Sequence, residues 1–273
     1  MAPTRTDPLS PALSGARLAV VGRGRLGTAL CAALRATGVQ VHGPLGRGER
    51  PEGAGAVLLC VPDTEISAAA AAVAGLVPLV GHTSGATPLT ALAPAGAAAF
   101  GLHPLQTFTG AESLAPGGCE GRQHPPLTGF AGAGCAVAGQ SPAALELASA
   151  LAQRLGMRPF EISDEDRSAY HAAASIASNF LVALEATAER VAGGAGIEPA
   201  EARALLAPLV RSTVDNWAAL GPERALTGPV ARGDDATVAR QREAVAETAP
   251  DSLALFDELV ARTRALAGRG VLL

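Results

Sequence analysis

The chain has 273 residues, of which 48% are hydrophobic, so it can build a sizeable core in one large domain or two modest ones. Its formal net charge of -4 argues against a broad basic surface, and we therefore expect no nucleic-acid partner. No stretch is apolar enough to span a bilayer and residues 1–16 lack the apolar centre of a secretory signal, which indicates a flexible N-terminal extension and a cytoplasmic protein without a membrane partner.

Short apolar runs alternate with helical patterns through the first half of the chain. The run Arg17–Val21 ends directly on Gly22, as a buried parallel strand does before a tight turn, and leucines at helical spacing then predict a helix closed near Gly38. Further strands are predicted over residues 39–42, 56–61, 79–80, 97–102, 135–138 and 157–162, and helices over 65–76 and 142–155. The alternation predicts an α/β fold with a doubly wound parallel sheet over residues 17–163. Residues 110–134 are dense in Gly and Pro, which predicts a long loop.

The pattern changes after residue 163. Residues 164–166 are acids suited to a first helical turn, and the following run without Gly or Pro predicts one long helix to about Ala192. Further helices are predicted over residues 199–220, 234–247 and 252–267. No strand signal remains, so we expect an all-helical domain over residues 164–273.

The glycine-rich turn after the first strand predicts a dinucleotide site. Gly22, Arg23, Gly24, Arg25, Leu26 and Gly27 form a GxGxxG motif between a strand and a helix, which is the context that this motif requires. In that context Gly22 permits the turn, Gly24 admits the pyrophosphate and Gly27 allows close packing of helix on strand. Val61, Pro62 and Asp63 follow the third strand, and we add them to the predicted cofactor site.

The residues after the second strand favour NADP(H) over NAD(H). A site for NAD usually has an acidic residue there to hold the ribose hydroxyls, but this chain has His42, Gly43 and Pro44. Arg23 and Arg47, with Arg50 nearby, offer cationic partners to a 2′-phosphate. Glu49 opposes this interpretation, although it lies several residues past the usual acidic position.

Two absences restrict the chemistry. All 21 residues counted as Lys or Arg are arginine, which excludes a Schiff-base lysine and a lysine proton donor. The four cysteines show neither a CxxC pair nor the Cys/His spacing of a zinc site, so we expect buried reduced thiols and no metal. They are Cys31, Cys60, Cys119 and Cys135.

Several motifs give the whole chain a family resemblance. They are VLLCVPD at 57–63, HTSG at 82–85, LHPLQTF at 102–108, YHAAAS at 170–175, SNF at 178–180 and LTGPVARGD at 226–234. In this combination the chain resembles bacterial Rossmann-like proteins with domain of unknown function 2520, related to the 6-phosphogluconate dehydrogenase superfamily. The resemblance implies a Rossmann domain, a helical domain like the C-terminal one of 6-phosphogluconate dehydrogenase, and a homodimer formed through its helices. It also implies ketopantoate as a substrate to try first, with a proton donor other than the lysine of better-known ketopantoate reductases.

The candidate catalytic residues are His103, His171, Asn179 and Ser84. Asp63, Ser84 and His103 follow predicted strands, at the edge of the sheet where ligands bind. His171, Ser175 and Asn179 recur at i, i+4 and i+8, which predicts a polar stripe on the long helix. Either histidine is suited to donate a proton, with Asn179 and Ser84 positioning the substrate oxygen.

The candidate substrate-binding residues are Ser175, Arg232, Asp234 and Gln106. Arg232 has the fork geometry that suits a carboxylate, and Asp234 suits a helix N-cap or an orienting partner. Each site residue also has a structural interpretation. Either histidine can satisfy a buried carbonyl, and the Ser/Asn pair can join helices. Tyr170 and Trp217 are typical packing residues, although a tyrosine hydroxyl in the cleft could also donate a proton.

The leading hypothesis is therefore NADPH-dependent reduction of a small 2-oxo acid, such as ketopantoate to pantoate. The alternatives are imine reduction, as in pyrroline-5-carboxylate reductase, and a prephenate-type dehydrogenase, suggested by His103 and Pro104. A non-catalytic NADP(H)-binding sensor is the alternative outside enzyme chemistry.

Overall fold

The computed structural model of the chain describes residues 17–109 and 129–270, which divide into two compact units. The first unit extends to Ser175 and the second begins at Ile176. Most of the predicted loop, together with Cys119, lies outside the described residues. Within the described residues, no helix is both long and apolar enough to cross a membrane.

A seven-stranded sheet forms the centre of the first unit. Its strands are β1 (Leu18–Val21), β2 (Val41–Leu45), β3 (Ala56–Leu59), β4 (Leu79–His82), β5 (Ala98–Pro104), β6 (Gly134–Gly139) and β7 (Arg158–Glu161). Their order across the sheet is β2-β1-β3-β4-β5-β6-β7. The first five strands are parallel, as the alternation of strands and helices predicted, so their carboxyl ends meet at one edge.

Helices cover both faces of this sheet. They are α1 (Arg25–Ala36), α2 (Ile66–Ala72) and α3 (Pro142–Arg154), with 3-10 segments at Asp63–Glu65 and Leu89–Ala95. Helix α4 (Arg167–Ala177) follows β7. Alternate side chains of each strand enter two separate core clusters: Leu18 and Val20 contribute to one, and Ala19 to the other. The predicted doubly wound α/β architecture is confirmed.

Two features of the sheet differ from the prediction. β6 runs antiparallel to β5, so the sheet is not wholly parallel. β2 also continues through Gly43 and Pro44, where the prediction ended it at His42. Gly43 has a φ of 130° and a Cβ there would overlap the Val20 carbonyl, so glycine permits this close pairing. Because β2 is an edge strand, Pro44 can lack an N–H without breaking the sheet.

The second unit consists of helices in the part of the chain that the structure describes. They are α5 (Asn179–Gly193), α6 (Pro199–Leu220), α7 (Pro222–Ala225), α8 (Asp235–Thr248) and α9 (Leu253–Gly270), with a 3-10 turn at Pro250–Ser252. The predicted bounds of α6 are reproduced, and those of α8 and α9 differ by one to three residues at each end.

The prediction of one long helix from residue 164 to about 192 was wrong. Residues 164–166 form a turn before α4, and the helix breaks at Ser178, whose φ of -122° and ψ of -72° are not helical. Ser178 and Asn179 are weak helix formers because their side chains compete for backbone hydrogen bonds. As a result Asn179 begins α5, whereas His171 and Ser175 lie on α4, so the three do not form one stripe.

Candidate functional site

The glycine-rich turn joins β1 to α1. Gly22 has a φ of 118°, and a Cβ there would overlap the Cys60 carbonyl oxygen. A Cβ at Gly27 would overlap the Gly22 carbonyl oxygen, so α1 packs directly on the turn. Gly24, the N-cap of α1, differs from both: no described atom lies within 4 Å of the position that its Cβ would occupy. The turn therefore leaves open space in front of the N-terminus of α1, where a phosphate group fits.

A groove of about 760 Å³ lies beside this turn. Of the predicted cofactor residues, five line it: Gly22, Arg23, Arg47, Val61 and Pro62. The apolar side chains of α2 and the carboxylates Glu49 and Glu65 also line it. Its volume and its position at the carboxyl end of β1 fit the adenosine half of a dinucleotide.

Both predicted phosphate-binding arginines are paired with carboxylates in this groove. Nη2 of Arg23 donates to both carboxylate oxygens of Glu49, at 2.7 and 2.8 Å. Nη2 of Arg47 donates to the Glu65 carboxylate at 2.9 Å. The Gly46 amide, together with Arg23, holds the pKa of Glu49 below its usual value. Since these side chains are largely exposed, the pairs are weak and an incoming phosphate can exchange for the carboxylates.

The turn after β4 is fixed by Ser84. Its hydroxyl donates to Asp63 at 2.8 Å and accepts from the amides of Ala86 and Thr87, while its own amide donates to His82 Nδ1. Ser84 and Asp63 are thus brought together at the sheet edge, as the parallel topology predicted. Because every polar group of Ser84 is engaged in the turn, its geometry favours a positioning role over catalysis.

Two histidines and a tyrosine meet at the end of β5. The Nδ1 atom of His103 lies 2.6 Å from the hydroxyl of Tyr170, and the rings meet edge to face with centroids 5.5 Å apart. His171, the next residue of α4, has its ring centroid 6.1 Å from that of His103. Gly85 packs between them, since a Cβ there would lie 2.8 Å from His103 and 2.9 Å from His171. Residues remote in sequence thus form a compact polar cluster, which we call the His103 cluster (Gly85, His103, Tyr170, His171).

Burial keeps His103 and Tyr170 uncharged at neutral pH. Burial, followed by the neighbouring His171 and Arg167, lowers the pKa of His103 to about 4. Burial also raises the pKa of Tyr170 well above its ordinary value. Beneath the cluster, burial and Arg167 lower the pKa of His82 to about 4. At neutral pH His103 is therefore a neutral imidazole bonded to a neutral phenol.

The two lowered histidine pKa values make stability depend on pH. Between the folded value of about 4 and the ordinary value of 6.5, the unfolded chain binds more protons, so stability falls as the pH drops. We expect the free energy of unfolding to fall by about 2 kcal/mol per histidine from pH 7 to pH 5. Urea unfolding at both pH values measures this. His82→Asn, which keeps an acceptor for the Ser84 amide, should reduce the loss, and an unchanged loss would contradict the shift at His82.

The other predicted site residues are engaged locally or belong to the second unit. Gln106 uses both ends of its amide locally, bonding the Gly129 carbonyl at 2.8 Å and the Thr107 amide at 2.9 Å. Asn179, Arg232 and Asp234 belong to the second unit. Asp234 is the N-cap of α8 and accepts from the Thr237 amide at 3.1 Å, as one of its two interpretations predicted.

The predicted site residues did not include Tyr170, Gly85 or Arg167. Tyr170 was interpreted first as a packing residue and only second as a donor, although its position beside His171 was a usable signal. Arg167 is paired with Asp164 at 2.6 Å, and the i, i+3 spacing of the two residues was a second signal. Of the cysteines, Cys31 and Cys135 are buried and free, as predicted, while Cys60 is only partly buried and also free. Among the described residues, no group of three or more His, Cys, Asp or Glu side chains could hold a metal ion.

Sequence and structure comparisons place the chain among known folds. Residues 133–263 match the family described as "Domain of unknown function (DUF2520)". None of the curated proteins matches the chain in sequence.

Three solved structures illustrate the structural likeness. Protein BF3122 of Bacteroides fragilis, provisionally named an NADP oxidoreductase, is 19% identical with a TM-score of 0.72, over 92% of this chain and 98% of that one. Protein TM1727 of Thermotoga maritima is 24% identical with a TM-score of 0.70, over the same shares of 92% and 98%. Pyrroline carboxylate reductase of Plasmodium falciparum, solved with NADP bound, is 10% identical with a TM-score of 0.59, over 93% and 99%. At these identities the likeness shows a shared fold.

Proposed function

We propose that this chain, whose residues 133–263 carry a DUF2520 domain, is an NADP(H)-dependent oxidoreductase that reduces a small carbonyl compound. The first candidate substrate is the 2-oxo acid ketopantoate, with pantoate as the product. The observation that carries the proposal is the 2.6 Å contact between His103 and Tyr170 at the same sheet edge as the glycine-rich turn. The names of similar structures, which include NADP oxidoreductases and reductases, support the class of reaction.

The residues of the first unit fit the cofactor. The N-terminus of α1 and the open space at Gly24 would hold the pyrophosphate, and Arg23 and Arg47 would exchange their carboxylate partners for the 2′-phosphate. Bound there, the dihydronicotinamide supplies a hydride, so the carbonyl carbon gains two electrons while its oxygen must gain a proton.

His103 is the group that we place at that oxygen. Tyr170, which is protonated at neutral pH before the reaction, donates to Nδ1, and the ring proton of the neutral imidazole then lies on Nε2. Nε2 is on the side of Gly85, where it can hold and polarise a substrate oxygen. As Nε2 gives up its proton, Nδ1 takes one from Tyr170, which regains a proton from solvent.

Imine reduction is the second candidate, and the neutral state of His103 and Tyr170 favours it. A protonated imine needs no proton from the protein, so a site in which these two groups are uncharged suits it. Pyrroline carboxylate reductase and imine reductase structures share the fold. A panel of ketopantoate, 1-pyrroline-5-carboxylate and prephenate, tested with NADPH and NADP⁺ as each requires, separates these reactions. Cofactor binding without turnover of any substrate would favour the sensor alternative.

The glycine-rich turn gives a prediction about cofactor affinity. Gly24→Ala adds a methyl group in open space, so the protein should keep its melting temperature but bind NADPH at least about tenfold more weakly. Gly22→Ala is the matched contrast, since its methyl group meets the Cys60 carbonyl and should destabilise the fold. Fluorescence titration and thermal unfolding measure the two effects. Unchanged NADPH binding by folded Gly24→Ala would place the cofactor elsewhere.

We further propose a homodimer formed through the second unit. Its helices expose large apolar side chains, each more than half accessible: Ile176, Phe180, Val182, Leu205, Leu209 and Trp217. An apolar surface of this kind is typical of a subunit interface, and sedimentation equilibrium tests it directly. The cytoplasm and the lack of a nucleic-acid partner stay predictions.

A further inference from the structure

Arg167 is a buried cation that the proposed reaction does not use. Its side chain is only 2% exposed, and its Nε donates to Asp164 at 2.6 Å. Asp164 also accepts from the Leu89 amide at 2.9 and 3.1 Å, so it ties the start of α4 to the segment after β4. Nη2 has no hydrogen-bond partner among the described residues. Burying a guanidinium costs several kcal/mol unless it is well paired, so this incomplete pairing needs an explanation.

The Arg167 guanidinium is linked to the His103 cluster through the backbone of Ser84 and Gly85. Its Nη1 points to the Ser84 carbonyl at 3.4 Å, and the next residue is Gly85, whose backbone packs against both imidazoles. Nη2 lies against β5 itself, 2.9 Å from where a Cβ of Gly101 would be. The absence of a side chain at Gly101 therefore leaves the room that the guanidinium occupies.

We propose that Arg167 is a positioning residue of the His103 cluster: it holds the Ser84–Gly85 backbone against the two imidazoles and places a fixed positive charge behind them. This inference rests on the proposed function for its catalytic meaning, but the geometry and the charge do not depend on any substrate.

The charge acts on the histidines in a defined direction. The groups that face His103 are His171, Arg167, Asp63, His82 and Tyr170. Arg167 lowers the pKa of both histidines: it ranks after burial at His82, and after burial and His171 at His103. Asp63 raises both pKa values. Arg167 is thus the cation that both buried histidines share, and removing it should ease their protonation.

Proton NMR titration of the histidine rings tests this without substrate. The chain has five histidines, so single His→Gln variants can assign each signal. In Arg167→Gln we expect the His103 midpoint to rise by roughly one pH unit, and the His82 midpoint to rise as well. The acid limb of the activity profile should move by the same amount. A folded Arg167→Gln whose His103 midpoint equals that of the wild type would overturn the proposal.

Arg167→Lys tests the positive charge separately from the hydrogen bonds to Asp164 and Ser84. It also provides a test if Arg167→Gln fails to fold. Lysine keeps the positive charge but cannot reach Asp164 and Ser84 together as the fork does. We expect its His103 midpoint to stay within about 0.3 pH unit of the wild type, while turnover falls several-fold. A His103 midpoint near 6.5 in this variant would show that the charge of Arg167 is not the cause. Because the midpoints are read without substrate, a failed substrate assay leaves this test intact.

Discussion

Removing the Tyr170 hydroxyl or the His103 ring should stop reduction of a carbonyl substrate while leaving the cofactor bound. His103→Ala removes the only group that we place at the substrate oxygen, and we expect kcat to fall by roughly 10² to 10⁴. Tyr170→Phe keeps the ring contacts at 5.5 Å to His103 and 5.8 Å to Phe160 but loses the hydroxyl, and we expect a fall of roughly tenfold or more. Steady-state rates and NADPH titration measure both effects.

Phe160→Leu is the matched control for this pair. It removes the aromatic neighbour of Tyr170 but leaves the hydroxyl bond to His103, so turnover should change less than about threefold. With a protonated imine the His103→Ala loss should shrink, because that substrate brings its own proton. Equal turnover by His103→Ala and the wild type, with a carbonyl substrate, would remove His103 from the mechanism.

Gly85→Ala should damage the site more than the fold. The added methyl group would lie within 2.9 Å of both imidazoles, so one or both rings must move. A displacement of about 1 Å in a catalytic group can lower turnover by roughly a hundredfold, and we expect a loss of that order. The tautomer and exchange signals of the imidazoles in NMR should change with it.

Gly193→Ala is the control for this substitution. Gly193 ends α5 in the second unit and has no described atom within 4 Å of its Cβ position, so the change should leave turnover intact. If Gly85→Ala kept both turnover and the imidazole signals of the wild type, the close packing of the His103 cluster would be contradicted.

The architecture was predictable because hydrophobic periodicity reports local structure. The run Leu18–Val21 before Gly22 located β1 and its turn, and α6 was predicted with the bounds it has. The direction of a strand and the break in a helix were harder to predict from the sequence. The sequence of β6 does not by itself show that the strand runs antiparallel to β5, and the break at Ser178 occurs in a run without Gly or Pro.

The site was predictable only where the topology of the sheet determines which residues meet. Parallel strands bring Asp63 and Ser84 to one edge whatever the details of packing, and these two residues do meet. Hydrogen-bond and ion-pair partners that depend on side-chain packing could not be predicted from the sequence. Nothing in the spacing of Glu49 shows that it pairs with Arg23, and nothing in the spacing of Tyr170 shows that it bonds His103.

The most direct test of the central claim is the rate of NADPH oxidation by the purified protein with ketopantoate, compared with the rate with NADH at the same concentrations. We expect substrate-dependent oxidation that favours NADPH, lost in His103→Ala and retained in Phe160→Leu. If neither cofactor is consumed with ketopantoate, or with 1-pyrroline-5-carboxylate in its place, while NADPH still binds, the assignment as a reductase is contradicted.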